Sequence, residues 1–269
     1  MSEFRGAPAG PLCVYFHGCP GAPAECAWFD DAAREAGVRL IGIDRNAVAP
    51  GAAGGAYFDA LAAEVERLAA GAPVRLMGFS LGAFVAVQVA IRLRTPVAVI
   101  DLVSPAGPLD SGDVLDSMAG GAVFRLAMRS PALFRAVTWA QGVAVGLAPS
   151  AVLRGLFASV RGAEAERAAR PDFQAALARF LTWAYGPARG GYIRDIAAYV
   201  RPWAADLQRV SASVRIWQGE DDGWAPPALA ASLAAGLRET PDVTLFPGLG
   251  HYSTLFEAAP IALRRAPGG

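Results

Sequence analysis

A chain of 269 residues, 54% hydrophobic and 18% charged, is long enough for a large α/β domain with an insertion and too apolar to stay disordered. Twenty-four basic side chains balance twenty-four acidic ones, which leaves no electrostatic case for a nucleic acid or an anionic membrane as partner. Every basic residue is arginine, and the lack of lysine excludes Schiff-base chemistry, a lysine general base and a Walker A phosphate loop.

The chain opens with "MSEFRGAPAGPLCVYF", which has neither a long apolar core nor a signal-cleavage pattern. The longest mostly apolar run, residues 136–148, is too short to cross a bilayer, so a cytoplasmic protein with no membrane partner is expected. Cys13, Cys19 and Cys26 form an odd, clustered set that fits neither a disulfide framework nor a zinc pattern.

Six runs rich in valine, leucine and isoleucine read as strands: residues 12–16, 38–43, 74–79, 97–103, 214–218 and 243–247. Their near-continuous apolarity suits strands covered on both faces. Helical patterns lie between them, as at 57–70 and 82–94, and the alternation predicts a doubly wound, mostly parallel sheet of about six strands. The alternation fails over residues 105–205, where amphipathic helical patterns such as "DVLDSMAGGAVFRLAMR" replace strands and Pro131 and Pro171 suit helix starts. That stretch is expected to be an inserted helical cap, with residues 1–104 and 206–269 forming a discontinuous core.

Chemistry-bearing residues follow strands. "LMGFSLGAF" (76–84) sets Ser80 between Gly78 and Gly82 after the third predicted strand, the G-x-S-x-G spacing of a nucleophile elbow. A serine hydroxyl needs a base, and only His17 and His251 are available. His251 follows the last predicted strand, on the sheet edge where sites form, and His17 follows the first. An acid must then orient the imidazole, and "GEDDGWAPP" (219–227) offers Glu220, Asp221 and Asp222. The order serine, acid, histidine is that of an α/β hydrolase.

On "FHGCPG", "GFSLG", "RPWAADL", "IWQGEDDGWAPP" and "PGLGH", the sequence resembles the α/β-hydrolase superfamily, above all capped bacterial members with an HGxPG loop, among them proline iminopeptidase-like enzymes and esterases. The resemblance spans nearly all of the core and weakens in the cap. It implies Ser80 as nucleophile, His251 as base and Asp222, three residues after Gly219 and four before Pro226, as acid, with Asp221 the weaker choice. It implies an oxyanion hole from the backbone N–H groups of Leu81 and Cys19, and a bracing role for His17. No metal or organic cofactor is implied. The expected reaction is acyl transfer to water on an ester, thioester, lactone or amide of a mostly apolar small molecule. The alternatives are a lyase or cyclase on the same fold and a catalytically silent binder. Cap aromatics Trp139, Phe157, Phe180, Trp183 and Tyr185 are expected to form the cap's own core, with some lining an apolar pocket above Ser80. Three features depart from the pattern: "DRNAVAPG" (44–51) replaces an Asp-Arg-Pro-Gly-x-Gly loop, an N-terminal β-hairpin is not expected, and Gln218 stands where many relatives carry histidine.

Overall fold

A computed structural model describes residues 2–49, 51–109 and 114–266, so that Pro50 and Asp113, which belong to two of the motifs quoted above, lie outside the described residues. In chain order the regular elements begin with β1 (Glu3–Gly6), β2 (Leu12–Phe16), α1 (Asp30–Glu35), β3 (Arg39–Gly42), α2 (Gly55–Ala69), β4 (Val74–Phe79), α3 (Leu81–Ala90) and β5 (Val97–Val103). Among the described residues six α-helices follow: α4 (Gly121–Arg129), α5 (Pro131–Leu147), α6 (Pro149–Leu156), α7 (Gly162–Ala169), α8 (Pro171–Tyr185) and α9 (Arg189–Tyr199). The chain then returns to the sheet with β6 (Val214–Gly219), α10 (Pro227–Gly236), β7 (Asp242–Phe246) and α11 (His251–Arg264).

The strands form one sheet in the order β1-β3-β2-β4-β5-β6-β7, parallel throughout except for β1. Every residue of β2, β4 and β6 is buried, as near-continuous apolar runs with helices on both faces require. Among the described residues the sheet has seven strands rather than about six. The added strand, β1, runs antiparallel along the edge of β3, pairing Phe4 with Ile41. Four residues, none of them buried, with a single large apolar side chain give no periodic signal, so pairing at the edge is what makes "EFRG" a strand. It makes no hairpin with β2, in keeping with the expected lack of one.

The helical insertion lies between β5 and β6, and Pro131 and Pro171 are the first residues of α5 and α8. Proline at these positions forfeits only an N–H that a helix start leaves unbonded. Two buried ionic clusters hold the pieces together. Asp101 of β5 receives both Nε and an NH2 nitrogen of Arg215 at 2.7 and 2.8 Å, and the Trp217 indole at 3.0 Å. Arg75 beside it donates to the carbonyls of Ala262 and Leu263, which anchors the C-terminal turn of α11 to the sheet. Arg45, fully buried after β3, pairs through Nε with Asp195 of α9 at 2.9 Å, and Tyr57 donates to the same carboxylate at 2.6 Å. That second cluster pins the insertion to the core.

Candidate active site

Ser80 stands between β4 and α3 with φ 55° and ψ −126°, a backbone conformation that non-glycine residues avoid and that costs on the order of 1–3 kcal/mol. The two glycines of the motif are there because the turn leaves no room. A Cβ on Gly78 would lie 2.6 Å from Ala83 Cα, and one on Gly82 would lie 2.0 Å from the Phe16 carbonyl oxygen. The turn is tied down by Ser80 N donating to Val103 O at 3.0 Å and Ala106 N donating to Ser80 O at 3.1 Å. Ser104, at the end of β5, has φ 44° and donates its hydroxyl to the His251 carbonyl at 3.2 Å.

His251 is the first residue of α11 and is buried. Its Nδ1 lies 2.7 Å from Asp222 Oδ2, and the other carboxylate oxygen of Asp222 accepts the Trp224 and Ala225 amides at 2.8 Å each. Asp222 is buried whereas Glu220 and Asp221 are exposed, so of the three acids only Asp222 meets the imidazole. Gln218 is fully buried and donates to the carbonyls of Gly219 and Ala225, bracing both sides of the acid loop. The imidazole is packed between rings: Phe79, the residue before Ser80, at 4.7 Å between centroids, and Trp224, stacked at 5.6 Å and 19°. Burial works against a charge on His251, but the Asp222 carboxylate outweighs it through its charge and hydrogen bond, and the net effect raises the pKa above the ordinary histidine value.

The loop after β2 lies against the elbow. A Cβ on Gly18 would touch the Phe79 ring at 3.0 Å and lie 3.7 Å from Ser80 Cβ. The Gly18 amide is bound by Glu25 Oε2 at 3.0 Å, an oxygen that also accepts the Tyr15 hydroxyl at 3.1 Å. The following amide, that of Cys19, has no hydrogen-bond partner among the described residues. The Leu81 amide, at the first position of α3, has no intrahelical acceptor by helix geometry. Burial pushes the Cys19 thiol well above its ordinary range, which keeps it protonated. Burial also carries Glu25 up to about 7, its hydrogen bonds from Gly18 and Tyr15 offsetting only part of the cost.

His17 lies in a brace. Its Nδ1 is 2.8 Å from the Gly18 carbonyl oxygen and 3.2 Å from the Arg45 guanidinium, which donates to the carbonyls of His17 and Gly18 at 2.7 and 3.1 Å. Burial and the Arg45 charge hold its pKa well below the ordinary value. The altered loop after β3 is covered by the insertion: the position a Cβ on Gly191 would take is filled by Asn46 Oδ1, and Arg194 donates to the Arg45 carbonyl at 2.5 Å.

Sequence reasoning missed Glu164 of α7. This buried carboxylate accepts the Tyr252 amide at 3.0 Å and both the amide and the hydroxyl of Ser253 at 2.8 Å, so the insertion caps the helix that begins with His251. The pairing spans nearly ninety residues, and the two glutamates of "RGAEAER" carry no signal of it. Trp224 is adjacent to the acid, but nothing in the sequence places its ring on His251. Among the described residues, no group of three or more His, Cys, Asp or Glu side chains is arranged to hold a metal ion. A groove of about 510 Å³ lies between α6, α7 and α8, lined by Leu153, Phe157, Val160 and Pro171 among others. The Phe157 ring in turn lies 5.4 Å from Trp224. Of the other cap aromatics, Phe180 and Tyr185 are buried and Trp183 half-buried, while Trp139 faces solvent.

A family model described as "Alpha/beta hydrolase family" matches residues 14–266. Similar solved structures include an esterase from Exiguobacterium antarcticum (17% identity, 98% of this chain and 95% of that one, TM-score 0.70) and a hydrolase from Pseudomonas aeruginosa (17%, 98% and 94%, 0.69). A bromoperoxidase from Bacillus anthracis is similar to the same degree (16%, 97% and 91%, 0.69). At these identities the likeness concerns the fold. No curated protein matches this sequence.

Proposed function

The chain belongs to the alpha/beta hydrolase family, and from that premise we propose that it is a serine hydrolase in which Ser80, His251 and Asp222 act together on an ester, thioester, lactone or amide of a mostly apolar small molecule. The observation that carries this reading is the 2.7 Å contact between Asp222 and His251, made beside an elbow that holds Ser80 at φ 55°. In this scheme Asp222, fixed by two backbone amides, leaves the proton of His251 on Nδ1 and frees Nε2 to act as base. His251 takes the Ser80 proton, and the oxygen attacks the acyl carbon. The negative charge that develops on the carbonyl oxygen is met by the amides of Leu81 and Cys19, each worth about 3 kcal/mol in the transition state. The imidazolium then protonates the leaving group, and the acyl group stays on Ser80 until His251 activates a water in the reverse sense. Glu25 holds the loop through the amide of Gly18, the residue before Cys19.

An apolar acyl group suits the rings around His251 and the groove beside Phe157. The test is turnover of p-nitrophenyl esters from acetyl to decanoyl by wild type and Ser80→Ala. The reading expects hydrolysis that is lost in the variant, with longer acyl chains preferred. Hydrolysis retained by Ser80→Ala would sink it.

A further inference from the structure

The net charge of zero conceals a segregated distribution. From Ser117 to Ala163 the sequence carries five arginines (Arg125, Arg129, Arg135, Arg154 and Arg161) and no aspartate or glutamate. All twenty-four acidic residues lie outside this stretch, which contains α4, α5 and α6. Asp116 pairs with Arg125, but among the described residues Arg129, Arg135 and Arg154 have no carboxylate within ion-pair distance. All three are exposed.

The same segment carries an apolar face that none of the described residues covers. In α5, Phe134, Thr138 and Val145 point inward, while Leu133, Val137, Ala140, Ala144 and Leu147 recur at i, i+4, i+7, i+11 and i+14 on the solvent side. Leu133 is 52% exposed, Leu147 82% and Trp139, farther round the same exposed face of the helix, 58%. Val143 and, on α4, Met128 extend it. A soluble surface helix would present its charged residues here; α5 has one charged residue, Arg135, at the far edge of the exposed face, beyond Trp139. No single helix among the described residues is long and apolar enough to cross a membrane, and α5 and α6 turn by 116° at their junction. The geometry suits a helix lying in an interface rather than spanning one.

We propose that this face is a docking surface for an anionic lipid membrane, with α5 lying in the headgroup plane, Leu133, Val137, Trp139 and Leu147 in the acyl boundary, and the arginines of α4 to α6 against lipid phosphates. Charge decides against a second copy of the chain as the occupant. A two-fold contact brings like against like, and here it would face arginines with arginines and supply no acid from α4 to α6. An anionic bilayer satisfies both the charge and the apolar stripe. Docked this way, α6 and the groove lined by Leu153 and Phe157 stand at the lipid surface. The inference does not depend on the acyl-transfer reading, because its test measures binding alone.

That test is cosedimentation of the full chain with vesicles of phosphatidylcholine, with and without phosphatidylglycerol, at about 0.05 M and about 0.5 M salt. The protein is expected to pellet with the anionic vesicles at low salt and to be released at high salt. Arg135→Gln with Arg154→Gln should weaken partition by about thirtyfold at low salt. Leu133→Ser with Leu147→Ser should weaken it at least tenfold, to judge from the two apolar side chains removed from the interface. These side chains are exposed, so both variants should keep the wild-type unfolding midpoint, which separates lost docking from lost folding. Failure to pellet, equal pelleting with phosphatidylcholine alone, or unchanged binding in both variants would overturn the proposal. So would a dimer in sedimentation velocity that Leu133→Ser with Leu147→Ser dissociates, since the face would then be a subunit contact.

Discussion

Glu164→Gln probes the link between the insertion and the helix that carries His251. The carboxylate accepts three hydrogen bonds, from Tyr252 N on one oxygen and from Ser253 N and Oγ on the other. A glutamine has one oxygen and one NH2 group, so in either orientation an NH2 faces a backbone N–H. One buried amide then loses its acceptor, at about 1–3 kcal/mol. The first turn of α11 also loses a negative charge, worth up to about 2 kcal/mol where partly buried. Together these predict a loss of roughly 2–4 kcal/mol, read as a lower urea midpoint at unchanged denaturant slope. The activity should fall as well, because α11 begins with His251. A stability loss below about 0.5 kcal/mol, the range of an ordinary surface substitution, would refute the claim that this carboxylate caps α11.

Further outcomes follow from the same geometry. Asp222→Asn should lower kcat by orders of magnitude, as the wrong imidazole tautomer is then favoured, while Asp221→Asn, at an exposed position, should retain near wild-type rates; the reverse ranking would show that the acid is misassigned. Cys19→Ala should keep activity within about tenfold, since only the backbone amide is asked to act, and an inert variant would instead implicate the thiol. The acid limb of the kcat/KM profile should lie above the ordinary histidine pKa, because Asp222 stabilises the charged imidazole that must lose its proton; a limb below pH 6 would contradict this. Glu25 has its pKa raised to about 7 by burial, so the folded state binds its proton more tightly than the unfolded state. Its contribution to stability is complete below the unfolded value of about 4.5 and shrinks by about 3 kcal/mol as pH rises to 7, and Glu25→Gln should flatten that slope.

Features fixed by local chemistry were legible in the sequence. The glycines at 78 and 82 mark a turn with no room for Cβ, the near-continuous apolar runs of β2, β4 and β6 require a sheet covered on both sides, and Pro131 and Pro171 start helices. What escaped depends on partners far away in the chain. β1 is a strand because β3 offers an edge, Glu164 is a cap because α11 comes to meet it, and Asp195 is buried because Arg45 neutralises it. Side-chain direction escaped as well: composition cannot distinguish Trp139, which faces solvent, from Phe180, which faces the core. Charge summed over the chain hid the acid-free stretch of α4 to α6, which appears only when charge is counted element by element.

The central claim is that Ser80 is the nucleophile of an acyl-transfer enzyme, and the most direct measurement is the intact mass of the protein after exposure to a fluorophosphonate. The account predicts a single stoichiometric adduct on wild type, mapped to Ser80 by peptide sequencing, much slower labelling of His251→Ala, and no adduct on Ser80→Ala. A wild-type protein that stays unlabelled while hydrolysing esters, or an adduct that persists on Ser80→Ala, would contradict it.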